Sequence, residues 1–176
     1  TDEKSVEEVI ARIIAQHTTI DAALLLVGGY ASGGIKETDH AALRKMFTLN
    51  FNTAYFVVRP LFQQMLQQTN GGRLIFVGSR PALVAKDGKR SLGYTLSKSL
   101  LFTLADVLNE EGSSSNVTAS VVVPSTIDTP ANRQAMPKAD FTAWVKPEEI
   151  ADTMAHLCSA ESNAWRDTVV KVYSRA

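Results

Sequence analysis

Four short apolar runs alternate along the chain with longer segments in which apolar residues recur every three or four positions. The runs cover residues 22–27, 74–77, 117–123 and 168–173, and such continuous hydrophobicity is typical of strands buried on both faces of a parallel sheet. The periodic segments predict helices over 5–17, 39–68, 92–111 and 147–159. Ser5 followed by Glu8 predicts a capping box, and Pro60 predicts a kink in the second helix.

The alternation of strand and helix predicts an α/β fold with right-handed crossovers, and no linker divides residues 1–176, so we expect one domain. Residues 80–91 and 125–145 are rich in polar residues, Pro or Gly and are interpreted as loops. Ligands bind beyond the carboxyl ends of parallel strands. Residues 28–30, 78–79 and 124–126 fall at those ends, as does the start of the third helix.

The amino-acid composition limits the binding partners, the cellular compartment and the metal sites that can be expected. The 18 Lys and Arg residues balance the 18 Asp and Glu residues, which disfavours nucleic acid or a membrane surface as the partner. The single cysteine, Cys158, excludes an internal disulfide and indicates a reducing compartment, so we expect a cytoplasmic protein with a buried structural thiol. The three histidines lack the spacing of metal ligands, and no metal site is predicted.

Tyr94 and Lys98 lie four residues apart in the third predicted helix, so their side chains share one face. A neighbouring cation favours the phenolate and is expected to lower the pKa of Tyr94, which suits proton transfer to a carbonyl or imine. Two such common residues also fall at this spacing by chance on a solvated helix face.

The surrounding sequence resembles the short-chain dehydrogenase/reductase family. The matching pieces are GRLIFVGS at 72–79, YTLSK at 94–98, LNF at 49–51 and PSTIDT at 124–129. The resemblance implies a Rossmann-like, doubly wound parallel sheet that corresponds to the C-terminal two-thirds of such a domain. It also implies NADH or NADPH as cofactor and a homodimer or homotetramer.

The same resemblance implies roles for four residues. Tyr94 would transfer the proton, Lys98 would lower the pKa of Tyr94 and bind the nicotinamide ribose, Ser79 would orient the substrate, and Asn50 would anchor a proton-relaying water. Alternatives stay open for two of them, since Ser79 can satisfy backbone groups after its strand and Asn50 can pack around a water.

A closer likeness within the family is to the quinonoid dihydropteridine reductases. It rests on residues 123–144 and on GGYASGG at 28–34, and it implies a pterin-like substrate, with a generic carbonyl or quinone as the alternative. Those enzymes typically lack the counterparts of Ser79 and Asn50. Tyr30 offers a ring face to a flat substrate, although a simple rim tyrosine is equally compatible with the sequence.

The cofactor site is expected at the same rim. The predicted lining residues are Gly28, Gly29, Tyr94, Lys98, Pro124, Thr126 and Thr129. The family's glycine-rich TGxxxGxG turn does not occur in the 176 residues, so the domain is expected to be incomplete, with another polypeptide segment covering the sheet edge beside residues 22–27.

The loop at 125–145 has its own expected roles. Asp128, Asn132 and Arg133 are expected to order it, while Phe141 and Trp144 either clamp it or cover the substrate. A rival hypothesis of another class is a non-catalytic family remnant that acts as an interaction protein.

Overall fold

The computed structural model describes residues 2–175, in which four strands form one parallel sheet flanked by helices. The strands are β1 (Ala22–Leu25), β2 (Gly72–Val77), β3 (Val117–Pro124) and β4 (Val169–Val172). The helices are α1 (Glu3–His17), α2 (His40–Phe47), α3 (Thr53–Leu66), α4 (Arg80–Leu83), α5 (Ala85–Gly88), α6 (Leu92–Gly112), α7 (Pro130–Ala135) and α8 (Pro147–Leu157).

The strands lie side by side in the order in which the chain makes them, β1-β2-β3-β4, and every pairing is parallel. Leu25 lies opposite Phe76, Val77 opposite Val122, and Pro124 opposite Val172. All four carboxyl ends therefore lie along one edge of the sheet. The predicted α/β fold with a doubly wound, Rossmann-like parallel sheet is confirmed.

Alternate side chains of the central strands pack on opposite faces of the sheet. Leu74 and Phe76 join a core with α3 and α6, whereas Ile75 packs with Met154 of α8 on the other face. Every residue of β3 is buried. The continuous apolar runs in the sequence follow from this double coverage.

Two side-chain amides pair with backbone groups, one just before β1 and one within β3. Gln68 Oε1 accepts from the Ile20 N–H at 2.8 Å, and its Nε2 donates to Ile20 O at 3.0 Å. Asn109 Oδ1 accepts from the Ala119 N–H at 2.8 Å, and its Nδ2 donates to Ala119 O at 2.9 Å. The Asn109 amide therefore pairs backbone groups in the part of β3 that lies before its pairing with β4.

The predicted helix over 39–68 is confirmed as a continuous helical segment from His40 to Leu66, in which a π-helical turn, Thr48–Asn52, lies between α2 and α3. Pro60 lies inside α3 without ending it, and the irregular turn falls instead around Asn50, which is completely buried. The predicted capping box is wrong, because α1 begins at Glu3 and its N-terminus is capped by Asp2, which accepts from the Ser5 N–H at 3.2 Å.

Both segments predicted to be loops contain helical turns. Residues 80–91 hold α4 and α5, which are joined by an ion pair between Arg80 Nε and Asp87 Oδ2 at 2.9 Å. Residues 125–145 hold α7 and a 3-10 turn, Phe141–Ala143. Strand β1 ends two residues earlier than predicted, because Leu26 N bonds back to Leu24 O at 3.2 Å and turns the chain out of the sheet. No helix within residues 2–175 has the length and hydrophobicity to span a bilayer.

Candidate functional site

Three segments meet at the carboxyl end of the sheet. Gly28 lies three residues beyond the end of β1, and an ideal Cβ added there would lie 2.7 Å from Asn50 Oδ1 and 3.1 Å from Lys98 Nζ. Lys98 Nζ in turn donates to Val77 O, at the end of β2, at 2.8 Å. Helix α6 begins at Leu92, so its second turn faces the sheet at this point.

Lys98 is a buried cation. Its side chain is 5% exposed, and burial lowers its pKa from 10.5 to about 8. Its described hydrogen bond goes to a neutral carbonyl, which compensates only part of the lost hydration. The ammonium therefore loses its proton far more readily than an exposed lysine does.

Tyr94 differs from the prediction in the direction of its pKa. Burial raises the pKa of this phenol above its usual value of 10.0, the Ser79 hydroxyl lowers it in part, and Tyr30 raises it further. Lys98 is not among these causes, and its ammonium donates to Val77 O. The phenol is thus neutral at pH 7. The ring of Tyr30 meets that of Tyr94 edge to face, with centroids 5.1 Å apart and planes at 69°.

Ser79 follows β2 and has a buried hydroxyl that makes no hydrogen bond of normal geometry within residues 2–175, although it lies close enough to the Tyr94 phenol to lower the pKa of that group. The residue is 3% exposed, and its backbone carbonyl accepts from the Ala82 N–H at 3.1 Å. The alternative in which the Ser79 side chain satisfies backbone groups after the strand is therefore wrong. A buried, unbonded hydroxyl is rare in folded proteins and calls for an explanation, such as a ligand that completes it.

Asn50 uses its side chain to hold the loop after β1. Its Oδ1 accepts from the Gly29 N–H at 2.9 Å, and its Nδ2 donates to Gly29 O at 3.0 Å and to Ser97 Oγ at 3.0 Å. Since both ends of the amide are engaged in protein contacts, a water held by the Asn50 side chain would compete with these bonds. Its role as a water anchor stays a prediction.

Ser97 is the residue of this site that the sequence reasoning missed. It is fully buried, accepts from Asn50 and donates to Tyr94 O at 2.8 Å. The signal was present in the sequence, because a serine stands between the two residues of the YTLSK segment on the inward face of an otherwise apolar helix.

The predicted cofactor residues of the next strand lie at the same edge of the sheet, and their role stays a prediction. Pro124 is the last residue of β3, Thr126 accepts from the Val145 N–H at 2.9 Å through its backbone carbonyl, and Thr129 Oγ1 caps α7 by accepting from the Asn132 N–H at 3.2 Å.

The loop-ordering prediction fits the contacts observed after β3. Arg133 Nε and Nη2 donate to the two oxygens of Asp128 at 2.6 and 2.8 Å, and Asn132 Nδ2 donates to Ile127 O at 2.8 Å. The rings of Phe141 and Trp144 meet with centroids 4.8 Å apart, which is compatible with a clamp on the loop, and both of the roles predicted for them stay predictions.

The remaining chemistry-bearing groups do not form a second site. Cys158 is half-buried against the α8 core, and burial raises the pKa of its thiol, which fits a structural thiol. Within residues 2–175 no cluster of three or more His, Cys, Asp or Glu side chains could hold a metal ion. An open cleft of about 560 Å³ near the end of α6 is lined by Asp106, Val107, Glu110, Glu111 and Asp167, away from the residues above.

Comparisons with known proteins agree with this geometry. A family model described as short chain dehydrogenase matches residues 1–140. The chain is 25% identical over 154 residues to a dihydropteridine reductase of Dictyostelium discoideum, covering 86% of this chain and 65% of that protein. It is 26% identical over 158 residues to an acetoacetyl-CoA reductase of an Acinetobacter species, covering 85% and 62% of the two proteins.

Solved structures show the same fold at lower identity. A putative short-chain dehydrogenase/reductase from Burkholderia xenovorans superposes with a TM-score of 0.89 at 22% identity, over 98% of this chain and 71% of its own. A structure described as ElxO with NADP bound superposes with a TM-score of 0.88 at 19% identity, over 97% and 73% of the two chains. The chain spans less than two thirds of the length of the curated relatives named above. With 140 of its 176 residues matched by the family model, it belongs to the short chain dehydrogenase family.

Proposed function

We propose that this chain carries the proton-transfer site of an NAD(P)H-dependent reductase that acts on a C=N or C=O group. The observation that carries the proposal is the buried Ser79 hydroxyl, which makes no hydrogen bond of normal geometry within residues 2–175 and lies beside the phenol of Tyr94. A substrate carbonyl or imine would complete its hydrogen bonding. Membership of the short chain dehydrogenase family supports an oxidoreductase, and the reaction and substrate of the whole protein are part of the proposal.

The raised pKa of Tyr94 suits reduction rather than oxidation. A neutral phenol holds the proton that the developing alkoxide or amide anion needs, whereas a phenolate would have to be protonated first. Ser79 Oγ would bind the same substrate atom and so fix its distance from the phenol. Buried hydrogen-bond donors aimed at developing charge stabilise a transition state more strongly than water does.

A nicotinamide cofactor would supply the hydride. The residues that would hold it fit such a group, because Gly28 leaves the space beside Lys98 Nζ free of a side chain and Lys98 has donor capacity beyond its single described bond to Val77. Lys98 would bind ribose hydroxyls, while Gly29, Pro124, Thr126 and Thr129 would border the nicotinamide. NADH and NADPH both remain candidates.

The substrate we favour is a flat, pterin-like heterocycle. Tyr30 is 65% exposed beside Tyr94, so its ring offers an apolar surface at the site. The similarity to a dihydropteridine reductase supports this class, and the similarity to an acetoacetyl-CoA reductase supports a small carbonyl substrate as the second candidate.

Replacement of Tyr94 by Phe tests the reductase proposal. Turnover of quinonoid dihydropterin with NADH or NADPH should fall by about 10²- to 10⁴-fold, the usual contribution of a positioned acid. Tyr55→Phe, which removes a hydroxyl from a 39% exposed tyrosine of α3, is the matched control and should keep wild-type turnover. Near-wild-type turnover of Tyr94→Phe would rule out the proton-transfer role.

A binding measurement separates the reductase from the non-catalytic remnant. Fluorescence titration with NADH and NADPH should show binding of one of them by the protein, weakened by Lys98→Met. Absence of binding by the natural full-length protein would favour an interaction protein, in which the Tyr94 site has no partner.

We also propose that two copies associate through the outer faces of α3 and α6. These faces expose Tyr55, Leu96 and Val107 to 39%, 41% and 55%, and Tyr55 stacks on Phe51 with ring centroids 5.8 Å apart. Sedimentation should report a dimer or tetramer, and Val107→Glu should shift it toward monomer. A monomer at micromolar concentration would contradict this association.

A further inference from the structure

We propose that Ser97 is a positioning residue that sets the contact between the rings of Tyr30 and Tyr94. The consequence for turnover rests on the proposed reductase function, whereas the structural coupling is independent of it. The inference rests on the hydrogen bonds that the buried Ser97 hydroxyl makes and on those that link Asn50 to the Gly29 backbone.

The contacts form a closed circuit. Ser97 Oγ donates to Tyr94 O at 2.8 Å and accepts from Asn50 Nδ2 at 3.0 Å. Asn50 brackets Gly29 by bonding both its N–H and its carbonyl, at 2.9 and 3.0 Å. Gly29 precedes Tyr30, whose ring returns to that of Tyr94 at 5.1 Å. A shift of any one of these side chains would therefore also shift the residue that it contacts.

The orientation of the Asn50 amide follows from this circuit. The Gly29 N–H requires an acceptor, so Oδ1 must face it, and the amide nitrogen then faces Gly29 O and Ser97. Ser97 Oγ accepts from that nitrogen and has its own hydrogen left for Tyr94 O. With Ser97 and Asn50 completely buried, water cannot easily replace a lost bond.

A neighbouring serine shows what is particular to Ser97. Ser99 Oγ also donates to the carbonyl three residues earlier in α6, Leu96 O, at 2.8 Å. This local bond is common for serine in helices. Ser97 adds the bond to Asn50, a residue 47 positions away on another element, and this second bond couples the phenol of α6 to the loop after β1.

The test compares Ser97→Ala with Ser99→Ala in protein labelled with ¹⁵N-glycine. Hydrogen exchange of the Gly29 backbone N–H should accelerate about tenfold in Ser97→Ala. The reason is that the buried side-chain amide of Asn50, which accepts from this N–H, loses its hydrogen bond to Ser97. Nuclear Overhauser contacts between the Tyr30 and Tyr94 rings should weaken together with it. Ser99→Ala should leave both measurements at wild-type values.

Turnover supplies a second readout. In Ser97→Ala, kcat should fall about fivefold with KM within about twofold, as expected when a reacting group is misplaced. The alkaline limb of the kcat profile should move to lower pH, because retreat of the Tyr30 ring would expose the Tyr94 phenol, and burial is the largest cause that raises its pKa. A change at Ser97 that left the contact between the two rings intact would not move that limb.

Ser97→Cys keeps a weak donor of similar size, so its Gly29 N–H should exchange more slowly than in Ser97→Ala but faster than in wild type. If Ser97→Ala does not fold, the comparison of Ser97→Cys with wild type tests the role of Ser97. Wild-type exchange at Gly29 and unchanged ring contacts in the Ala or Cys variant would overturn the inference. If the wild-type protein has no reductase turnover, the proposed function falls, and the exchange and ring contacts alone decide the role of Ser97.

Discussion

Lys98 Nζ donates a hydrogen bond to the carbonyl of Val77 across 2.8 Å, and so joins the second turn of α6 to the end of β2. The bond holds a cation in a buried position whose described partner is a neutral carbonyl. The low pKa of Lys98, about 8, is the consequence of this placement, and it makes the stability of the fold depend on pH.

Stability should rise with pH between about 8 and 10. In this window the unfolded chain keeps the Lys98 proton up to its pKa of 10.5, whereas the folded chain releases it at about 8. The state that binds more protons is disfavoured as pH rises, so the free energy of unfolding should increase by about 2 kcal/mol. Urea denaturation at a series of pH values measures this rise.

Lys98→Met should remove that pH-dependent rise, while Lys86→Met, at an exposed position of α5, should retain it. The raised pKa of Cys158 acts with the opposite sign from its usual value of 9.0 upward, and that of Tyr94 from 10.0 upward, so the contribution of Lys98 is the difference in slope between wild type and Lys98→Met. Equal slopes for wild type and Lys98→Met would contradict the assignment.

Ser79→Ala should stabilise the fold while it impairs catalysis. The hydroxyl is buried and makes no hydrogen bond of normal geometry within residues 2–175, so its removal relieves a desolvation cost of about 1 kcal/mol. The opposite result is expected for Ser162→Ala, because the buried Ser162 hydroxyl donates to Leu157 O at 2.8 Å. Chemical denaturation of both variants checks the difference in sign, and destabilisation of both by equal amounts would refute it.

Gly28→Ala should be more harmful than Gly29→Ala. A methyl group at Gly28 would lie 2.7 Å from Oδ1 of Asn50, whose side chain is held in place by its burial and by three hydrogen bonds to Gly29 and Ser97. At Gly29 the close atom is Leu49 Cδ2, the end of a flexible side chain, at 2.6 Å. We expect a loss of about 1–3 kcal/mol for Gly28→Ala and weaker NAD(P)H binding, measured by denaturation and titration.

Greater tolerance of alanine at Gly28 than at Gly29 would show that Asn50 yields more easily than Leu49. It would also weaken the assignment of Gly28 to the cofactor site.

Asn109→Ala should destabilise the fold by about 2–3 kcal/mol, since it leaves the buried N–H and carbonyl of Ala119 unpaired. Gln68→Ala should cost less, because its bonds to Ile20 are only partly buried and water can replace them. Gln67→Ala, at an exposed neighbouring position, is the control and should be neutral. Equal losses for Asn109 and Gln68 would contradict the role of burial.

Much of the sheet could be predicted because strands that are buried on both faces appear in the sequence as continuous apolar runs. β2 and β3 were located within two residues of their observed ends, whereas β1 was made too long. Leu26 and Val27 continue the apolar run but are 59% and 62% exposed, so hydrophobicity alone did not reveal where pairing stops. Within residues 2–175 the outer edge of β1 pairs with no strand, and its coverage by another segment stays a prediction.

The helical turn α7 within the second predicted loop begins at a capping residue and a proline, which a pattern of hydrophobic positions does not take into account. Thr129 followed by Pro130 is a typical helix start, and α7 begins there. The π-helical turn could not be predicted in this way, because it accompanies contacts between Asn50 and residues far along the chain, Gly29 and Ser97.

The proximity of the candidate site residues was predictable, their electrostatics were not, and their roles stay predictions. Tyr94, Lys98, Ser79 and Asn50 come together as expected, since the carboxyl ends of parallel strands share one edge. The sign of the Tyr94 pKa shift was not predictable, because its largest cause is the burial of the phenol in the folded chain.

The strand order has a consequence for biosynthesis. Because β1, β2, β3 and β4 are neighbours in the sheet in the order in which the chain makes them, each new strand meets an edge that already exists. The sheet can therefore grow by one strand at a time as the polypeptide leaves the ribosome, without waiting for a later strand to be inserted between earlier ones. The helix carrying Tyr94 and Lys98 emerges after β1 and β2, so the carbonyl of Val77 is in place before the lysine that binds it is made.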